Sequence, residues 1–379
     1  STLTTLKKQV FIEHEKEGTY LTLPFSMPDD IEWITLTYNY AGFDEKETAL
    51  ENGSFVARQQ INIIDLGLIA PDGSQVGASG SNKKEITISE VYATPGYKTC
   101  ALLPGEWQII VGAYKVAQGG VEVNFEINLS KKHRRLYKGD LHVHTLASDG
   151  VFTVEELMER ARKLGLDFIA ITDHNQMVSS DSFPQARDIS VIPGIEYTHY
   201  LGHSNFLGVE KPYDDPFIAN TLEEVRTRFN SAHERGALIG INHPFQEGCE
   251  FKFDLNKIPF HYLEVWNGPM RESNLKAIGL WQQLLTAGKK IPICGGSDFH
   301  RDDIPFIFMG GPTTWVYAMS PSRKDVLAAI RAGHAFISYA PHGPLVEMTA
   351  GEAILGDSVD WTKEKELCIE ADHLLKGDV

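Results

Sequence analysis

The 379-residue sequence predicts an α/β fold preceded by an antiparallel β-sandwich, and two observations support this. Polar and apolar residues alternate through the first 130 positions, a pattern typical of β-strands with one buried face. After residue 138, helical segments that end at a glycine alternate with short apolar strands. Such repeats imply parallel strands with right-handed crossovers, so this part predicts a parallel α/β barrel or sheet.

The first part of the chain carries the clearest β pattern. Strands are expected at 20–25, 33–38, 107–112 and 121–127. We assign residues 1–133 to a β-sandwich accessory domain. Its expected role is that of a folding or oligomer partner, and placing or shielding a site is the alternative.

The second part of the sequence contains residue patterns that typically begin and end helices. Thr153 and Glu156 form a capping box, and Gly165 ends the helix that follows. Similar signals predict helices within 221–236, 272–288 and 322–333. We assign residues 138–340 to the α/β domain and 341–379 to a C-terminal tail with short strands.

Metal-competent side chains follow the strands of the α/β domain. The two imidazoles of His142 and His144 point the same way, because side chains on a strand repeat with period two. The carboxyl ends of parallel strands meet at one face, so ligands that are distant in sequence converge there. The candidate ligands are His142, His144, Asp149, His174, Glu196, His203, His243, Asp298 and His300.

These ligand types predict the metal and the reaction. Imidazole and carboxylate without thiolate favour Zn, Mn or Fe. Since zinc-like ions take roughly four protein ligands, nine side chains suit two or three divalent ions. Such ions bring the pKa of a bound water towards neutrality, so we expect hydrolysis by a metal-bound water and assign no protein nucleophile.

Several ordered motifs carry a family resemblance. LHVHT-LASDG, TDHN, PGIE, NHP and GGSDFH resemble those of the PHP (polymerase and histidinol phosphatase) superfamily of metal-dependent hydrolases, over roughly residues 137–340. The segments 265–268 and 331–338 resemble the CehA/McbA-like branch. The resemblance implies a distorted (β/α)7-type barrel and phosphoesterase activity.

The resemblance also implies three ligand groups. One ion would be held by His142, His144, Glu196 and Asp298, a second by Glu196 as a bridge with His203 and His243, and a third by Asp149, His174 and His300. Asp149 stands where the family often has a histidine, which is expected to alter the affinity for the third ion. His199 is an alternative to His203, which lies in the family-like segment 202–208.

The expected substrate is a small-molecule phosphate ester. Arg301, Arg271 and Asn267 are candidate contacts to it, and a surface salt bridge is the alternative role for each arginine. A second hypothesis is an ester, carbamate or amide hydrolase. A hypothesis of another class is a non-catalytic, metal-stabilised binding module whose β domain provides the binding surface.

Composition restricts the partners, the cysteine chemistry and the localisation that we expect for the protein. A formal net charge of −16 argues against a nucleic-acid surface, and the basic run 131–135 falls at the expected domain junction. The four cysteines are far apart, which excludes a dense disulfide scaffold and zinc-ribbon spacing. We expect a cytoplasmic or otherwise soluble protein without a membrane segment. The sequence leaves open a removed signal peptide and does not indicate the oligomeric state.

Overall fold

Two units make up the chain in the computed structural model, Ser1–His133 and Arg134–Val379. The structure describes residues 3–50, 53–210, 213, 216–362 and 366–378. Each unit has buried apolar clusters of its own.

The described part of the first unit is built from antiparallel strands. Two four-stranded sheets, in the orders β1-β10-β3-β8 and β2-β9-β6-β7, share one apolar core, and β4 and β5 form a separate hairpin. The predicted strands are confirmed as β2, β3, β9 and β10. The strands are β1 (Leu3–Ile12), β2 (Thr19–Met27), β3 (Ile31–Asn39), β4 (Phe43–Leu50), β5 (Gly53–Gln60), β6 (Ile63–Ile69), β7 (Gln75–Ser79), β8 (Glu85–Ile88), β9 (Gly105–Lys115) and β10 (Val121–Lys131).

The second unit is a mixed α/β structure. A nine-stranded sheet has the order β17-β16-β15-β14-β13-β12-β11-β18-β19, and a small sheet has the order β21-β20-β22. The strands are β11 (Arg135–Val143), β12 (Phe168–Ile171), β13 (Ser190–His199), β14 (Gly202–Leu207), β15 (Leu238–Ile241), β16 (Tyr262–Asn267), β17 (Ile293–Gly296), β18 (Thr313–Ala318), β19 (Ala335–Ser338), β20 (Leu345–Ala350), β21 (Ala353–Ile354) and β22 (Cys368–Asp372). The helices are α1 (Val154–Lys163), α2 (Leu222–Glu234), α3 (Glu272–Thr286) and α4 (Arg323–Arg331).

The four predicted helices are confirmed, and three of them begin at the predicted capping residue. Thr153 accepts a hydrogen bond from the amide of Glu156, and both halves of the capping box are present. The side chains of Thr221 and Ser322 likewise cap the first turns of α2 and α4. Gly165 follows α1 with a φ of +73°, a conformation that glycine adopts without strain.

The expectation of parallel strands is only partly correct. Parallel pairing joins β11 to β12, β12 to β13, β15 to β16 and β16 to β17. In contrast, β14 runs antiparallel to both β13 and β15, and β18 runs antiparallel to both β11 and β19. Only Tyr200 and Leu201 separate β13 from β14, and two residues allow a hairpin but not a crossover.

The two sides of the sheet approach each other and nearly close a barrel. The amide of Gly295, in the edge strand β17, lies 2.9 Å from Oγ1 of Thr314 in β18. Just beyond β17, the amide of Asp298 donates to the carbonyl of His142 at 2.9 Å. Residues that follow β17 are thereby placed beside the end of β11.

Asp140 stabilises the near-closure of the barrel through buried hydrogen bonds. Its carboxylate is fully buried and accepts hydrogen bonds from the amides of His142, Ser297 and Gly310. Three chain segments are therefore held at the end of β11 by one side chain.

Two further features complete the fold. Cys294 is a buried core residue, and all four cysteines are free. Within the described residues, no helix has the length and apolar character needed to cross a membrane.

Candidate metal centre

The nine candidate ligands converge at one end of the nine-stranded sheet. His142 is the penultimate residue of β11, Glu196 lies within β13 and His203 lies on β14. The other six occupy segments that follow strands: His144, Asp149, His174, His243, Asp298 and His300.

Four of them form an inner group: His142, His144, Glu196 and Asp298, whose ligand atoms all lie within 4.8 Å of one another. Nε2 of His142 lies 3.2 Å from both Oε2 of Glu196 and Oδ1 of Asp298. Nε2 of His144 lies 2.9 Å from Oδ1 of Asp298. The imidazoles and Glu196 are fully buried, and the Asp298 side chain is 19% exposed, so most of this group is shielded from water.

An outer group is formed by Asp149, His174 and His300, and His144 belongs to it as well. Oδ1 of Asp149 lies 3.0 Å from Nε2 of His300 and 3.5 Å from Nε2 of His174. The Asp149 side chain is 59% exposed. This group therefore lies at the solvent side of the cluster.

His203 and His243 form a lateral pair beside Glu196. Oε2 of Glu196 lies 3.6 Å from Nδ1 of His203 and 3.3 Å from Nε2 of His243. His199 points elsewhere, because Nε2 donates to the carbonyl of Ala219 and Nδ1 accepts from the amide of Leu201. The structure thus brings His203 to the cluster and leaves His199 outside it.

In four histidines, Nδ1 contacts a protein group and leaves Nε2 free to face the cluster. Such contacts fix the tautomer and the orientation of a ligand imidazole. The partners of Nδ1 are the Glu264 carboxylate for His142 at 2.6 Å, the Thr198 hydroxyl for His174 at 2.6 Å, the Cys249 thiol for His243 at 3.5 Å and the Asp298 carbonyl for His300 at 2.7 Å.

Glu264 is a site residue that the sequence analysis missed. Besides His142, its carboxylate accepts hydrogen bonds from the amide of His243 and from Nδ2 of Asn267. It therefore positions two ligand-bearing segments at once. The available signal was a carboxylate within the otherwise apolar strand β16.

Cys249 was also missed, because the candidate ligand set contained only imidazoles and carboxylates. Its sulfur lies within 4.8 Å of ligand atoms of His203 and His243. It contacts Nδ1 of His243, whereas Nε2 of that ring faces Glu196. In this arrangement the thiol orients His243 from outside the carboxylate-lined cluster.

Asp173 supports the loop that follows β11. Its carboxylate accepts hydrogen bonds from the amide and hydroxyl of Thr145 and from the hydroxyl of Ser148. Ser148 directly precedes Asp149, so Asp173 helps to place the outer group. Asn242 acts on the inner group, because its Nδ2 donates to Oε2 of Glu196 at 2.7 Å.

The backbone is strained next to the ligands. His243 and Asp298 have positive φ values of 27° and 60°, and Asn175, next to His174, has a φ of 50°. Each such conformation costs on the order of 1–3 kcal/mol and persists where the surrounding structure holds it. Strain at these positions is typical of a functional site.

Several buried polar atoms converge without hydrogen bonds. Among the described residues, these include Nε2 of His142, Nδ1 of His144, Oε1 of Glu196 and Nδ1 of His203. Buried polar groups are costly without a partner. A divalent cation accepts lone pairs from imidazole and carboxylate alike, so the donor set fits a metal ion.

The pKa values show that the cluster favours positive charge. Burial lowers the pKa of His144, but the hydrogen bond to Asp298 and the nearby carboxylate of Glu196 outweigh this effect and raise the pKa to about 9. Burial likewise opposes protonation of His142, yet Asp298 and Glu264 hold its pKa well above the usual value. Burial raises the pKa of Glu196, but the charge of His142 outweighs it and holds the pKa well below the usual value. A cation supplies the same positive charge and displaces these protons when it binds.

The three predicted substrate contacts lie around the cluster. Nε of Arg301 pairs with Asp303 at 3.1 Å, and the arginine side chain is half exposed, as in a surface salt bridge. Arg271 donates to the carbonyl and side-chain oxygens of Asn267, which is buried and connected to His142 through Glu264. Their role in substrate binding stays a prediction.

A cavity of about 750 Å³ opens beside the lateral pair. Its volume falls within the range of roughly 300–1,000 Å³ that is usual for small-molecule sites. Its lining residues are Asn175, Thr198, His199, Tyr200, His203, Phe217, Ile218, Ala219, Asn220, Gly248 and Cys249.

Residues 140–289 match the family model of the PHP domain. The chain contains a PHP domain. The match includes seven of the nine candidate ligands, and Asp298 and His300 lie beyond its end. The PHP domain and the clustered histidine and carboxylate side chains support a metal-dependent hydrolase.

Curated relatives resemble parts of this PHP domain. The chain is 31% identical over 124 residues to the 5'-3' exoribonuclease Rnm of Salmonella typhimurium, covering 27% of this chain and 41% of the relative. It is 51% identical over 39 residues to the DNA polymerase/3'-5' exonuclease PolX of Bacillus subtilis, covering 10% of this chain and 7% of the relative. The chain thus spans less than half the length of either relative.

Among solved structures, a two-domain protein of Bacteroides vulgatus is described as containing a predicted PHP-like metal-dependent phosphoesterase. It superimposes with a TM-score of 0.43 at 20% identity, over 58% of this chain and 73% of that chain. A phosphoesterase of Bifidobacterium adolescentis, described as putative and metal-dependent, has a TM-score of 0.31 at 15% identity, over 45% and 90%.

Proposed function

We propose that the protein is a metal-dependent phosphoesterase with a two- or three-metal site. The observation that carries the proposal is the buried cluster of imidazoles and carboxylates whose unpaired atoms converge. When bound, divalent ions such as Zn, Mn or Fe supply a water of lowered pKa and positive charge for the substrate oxygens. The proposal also covers the architecture. Residues 1–133 form an accessory β-sandwich domain, residues 138–340 form a distorted (β/α)7-type barrel of the CehA/McbA-like branch, and residues 341–379 form a C-terminal tail.

The ligands divide among the ions according to their contacts. The inner group would hold one ion, and Glu196 would share a second with His203 and His243. Its position supports this role, because Oε1 lies near His144, whereas Oε2 lies near His142 and also near both histidines of the lateral pair. The outer group would hold a third ion. Asp298 and Glu196 stay ionised over the neutral pH range, since their pKa values are held low.

A phosphate ester suits this centre better than an uncharged ester. Several adjacent cations give an anionic, oxygen-rich group several simultaneous contacts. The names of Rnm and PolX describe enzymes that act on nucleic acids, whose backbone is a phosphodiester. We nevertheless propose a small-molecule substrate, because the net charge of −16 disfavours a polyanion and the adjacent cavity suits a small ligand.

A reconstitution assay tests the proposal. The protein is stripped with a chelator, reloaded with Mn or Zn, and assayed on phosphomonoesters, phosphodiesters, a short RNA and carboxyl esters. We expect two or three ions per chain and the highest kcat/KM on a small phosphoester. Faster turnover of a carbamate or aryl carboxyl ester would favour the ester, carbamate or amide hydrolase. Bound metal without turnover of any substrate would favour the non-catalytic module.

A further inference from the structure

A second cavity, of about 570 Å³, is separate from the candidate metal centre, because none of the nine ligands is among its eleven lining residues. Its wall comes from β11, the end of α1, the segment between β17 and β18, and the segment after β19. All eleven residues belong to the described part of the second unit. The volume falls within the range of roughly 300–1,000 Å³ that small-molecule sites have. We call this space the lysine cavity, and its wall includes Lys138, Lys163, Leu164, Phe308, Gly310 and Tyr339.

Apolar side chains contribute much of the wall of the lysine cavity. Phe308, Tyr339 and Leu164 are 67%, 49% and 40% exposed. Met309, which also lines the cavity, is buried and belongs to the same apolar cluster as Phe299. Large apolar side chains that remain exposed around a concave surface indicate a place where a ligand can cover them.

The permanent charges on this wall are both positive. Nζ of Lys138 donates to the carbonyl of Pro341 at 3.0 Å and lies 5.1 Å from the centre of the Trp315 ring. Lys163 forms no ion pair with any residue that the structure describes. None of the eleven lining residues is Asp or Glu, and Asp167, which accepts a hydrogen bond from the backbone amide of Lys138, does not line the cavity. In a protein of net charge −16, a wall with two ammonium groups and no carboxylate favours an anionic ligand.

One wall of the lysine cavity is hydrogen-bonded to the carboxylate that holds the end of β11. The amide of Gly310 donates to Oδ2 of Asp140 at 2.8 Å. Oδ1 of Asp140 accepts from the amides of His142 and Ser297. A ligand that packs against Gly310 would favour the arrangement in which these hydrogen bonds exist. Because the same arrangement positions the inner group, the ligand and the inner ion would each strengthen binding of the other.

We propose that the lysine cavity is a second ligand site, which binds a small carboxylate with an apolar chain and thereby strengthens binding of the inner ion. The two lysines pair with the carboxylate, and the rings and aliphatic side chains cover the apolar chain. A phosphate dianion is less suited, because it would lose more hydration at a wall that is largely apolar. The coupling rests on the proposed metal site, whereas binding in the cavity is independent of the proposed hydrolysis.

Calorimetric titration with octanoate tests the binding site. The full chain is used after its metal has been removed with a chelator, so that the carboxylate cannot bind to the ions. Octanoate should bind at least about 10-fold more tightly than acetate, which lacks the apolar chain, and about 10-fold more tightly than octanamide, which lacks the charge. Lys163→Gln should reduce the preference for octanoate over octanamide by about 3-fold.

Two phenylalanines of one segment provide a matched pair of variants. Phe308→Asp should weaken octanoate binding by at least about 10-fold, because it replaces an apolar ring with a charge of the same sign as the ligand. Phe306 is also exposed but does not line the cavity, so Phe306→Asp should leave the binding unchanged. His142→Ala, which lacks an inner ligand, should still bind octanoate when metal-free, since the cavity does not include the metal centre.

The coupling is measured as the affinity for Mn, by competition with a chromophoric chelator in the presence and absence of octanoate. We expect saturating octanoate to tighten binding of the first Mn ion by about 5-fold in the wild-type protein and in Phe306→Asp, but not in Phe308→Asp. An unchanged Mn affinity in the wild-type protein, despite octanoate binding, would overturn the coupling.

The remaining outcomes separate this site from the proposed hydrolysis. Octanoate binding that is lost in Phe308→Asp, in a protein that hydrolyses no phosphoester, would support the lysine cavity and reject the phosphoesterase. Hydrolysis of phosphoesters without octanoate binding would overturn the cavity proposal and leave the phosphoesterase intact. Equal effects of Phe308→Asp and Phe306→Asp, or loss of octanoate binding in metal-free His142→Ala, would also overturn the cavity proposal.

Discussion

The inner and outer ligand groups use the same residue types but in opposite environments. The imidazoles of the inner group are fully buried, and Glu264 holds His142 from behind. In the outer group, the carboxylate of Asp149 is mostly exposed and the neighbouring loop is held by Asp173. Charge attraction is stronger where water is excluded. We therefore expect the inner ion to bind tightly and the outer ion to exchange.

The largest expected effect comes from removing an inner ligand. His142→Ala and Asp298→Ala should each lower kcat by at least about 1,000-fold, because the ion that both residues hold is lost. Activity is measured with excess Mn or Zn, and circular dichroism reports the fold. Near-wild-type hydrolysis by either variant would refute the ligand assignment. Unfolding of both would show that the site is structural and would favour the non-catalytic module.

Glu264→Gln tests how far the buried surroundings of the inner group strengthen metal binding, without removing a metal ligand. The substitution keeps the shape of the side chain but takes away the negative charge behind His142. We expect metal affinity to fall by about 10- to 100-fold, the usual effect of losing such a supporting carboxylate. Competition with a chromophoric chelator measures the affinity. Glu347→Gln, on the exposed side of β20, is the matched control and should leave the affinity unchanged.

Removing an outer ligand should have a smaller effect. Asp149→Asn is expected to lower the number of bound ions by one and kcat by about 10-fold, while the inner ions remain. Elemental analysis after gel filtration measures the ion count. Loss of every ion would show that the two groups bind cooperatively and are not separate sites.

The response to pH distinguishes the metal-free protein from the loaded one. The pKa of His144 rises from 6.5 to about 9 on folding, so its contribution to stability is complete below pH 6.5 and is lost as the pH rises through 9. The melting temperature of the metal-free protein should therefore fall between pH 6.5 and 9 through this group. The metal-loaded protein should lack this fall, because the ion takes the place of the proton. Equal pH profiles of the two forms would contradict this.

The smallest effect is expected at the surface. Arg301→Ala should change kcat/KM by less than about 2-fold if its pair with Asp303 is only a surface salt bridge. A loss of kcat/KM of about 10-fold or more would instead support a contact between Arg301 and the substrate. Steady-state kinetics on the best phosphoester decides between the two roles.

The parts of the site that sequence predicted are those encoded by neighbouring residues. The histidine pair at the end of β11 and the residues after β12, β15 and β17 each stand in a short motif at a strand end, so periodicity locates them. Glu264 has no such motif, and its role depends on β16 lying beside the end of β11. The antiparallel direction of β14 was missed because the hairpin turn at Tyr200 and Leu201 interrupts the alternation of helices and strands that indicated parallel strands.

The buried carboxylate of Asp140 has a consequence for the kinetics of folding. It joins the end of β11 to Ser297 and Gly310, which are more than 150 residues away in the chain. Contacts of such long range are formed slowly, since they require closure of a long loop. His142 and Asp298 can meet only after this closure, so a complete inner site does not exist in earlier folding intermediates. Metal ions should therefore slow unfolding without accelerating the early steps of folding. Binding of the inner ion would then report that the barrel is complete.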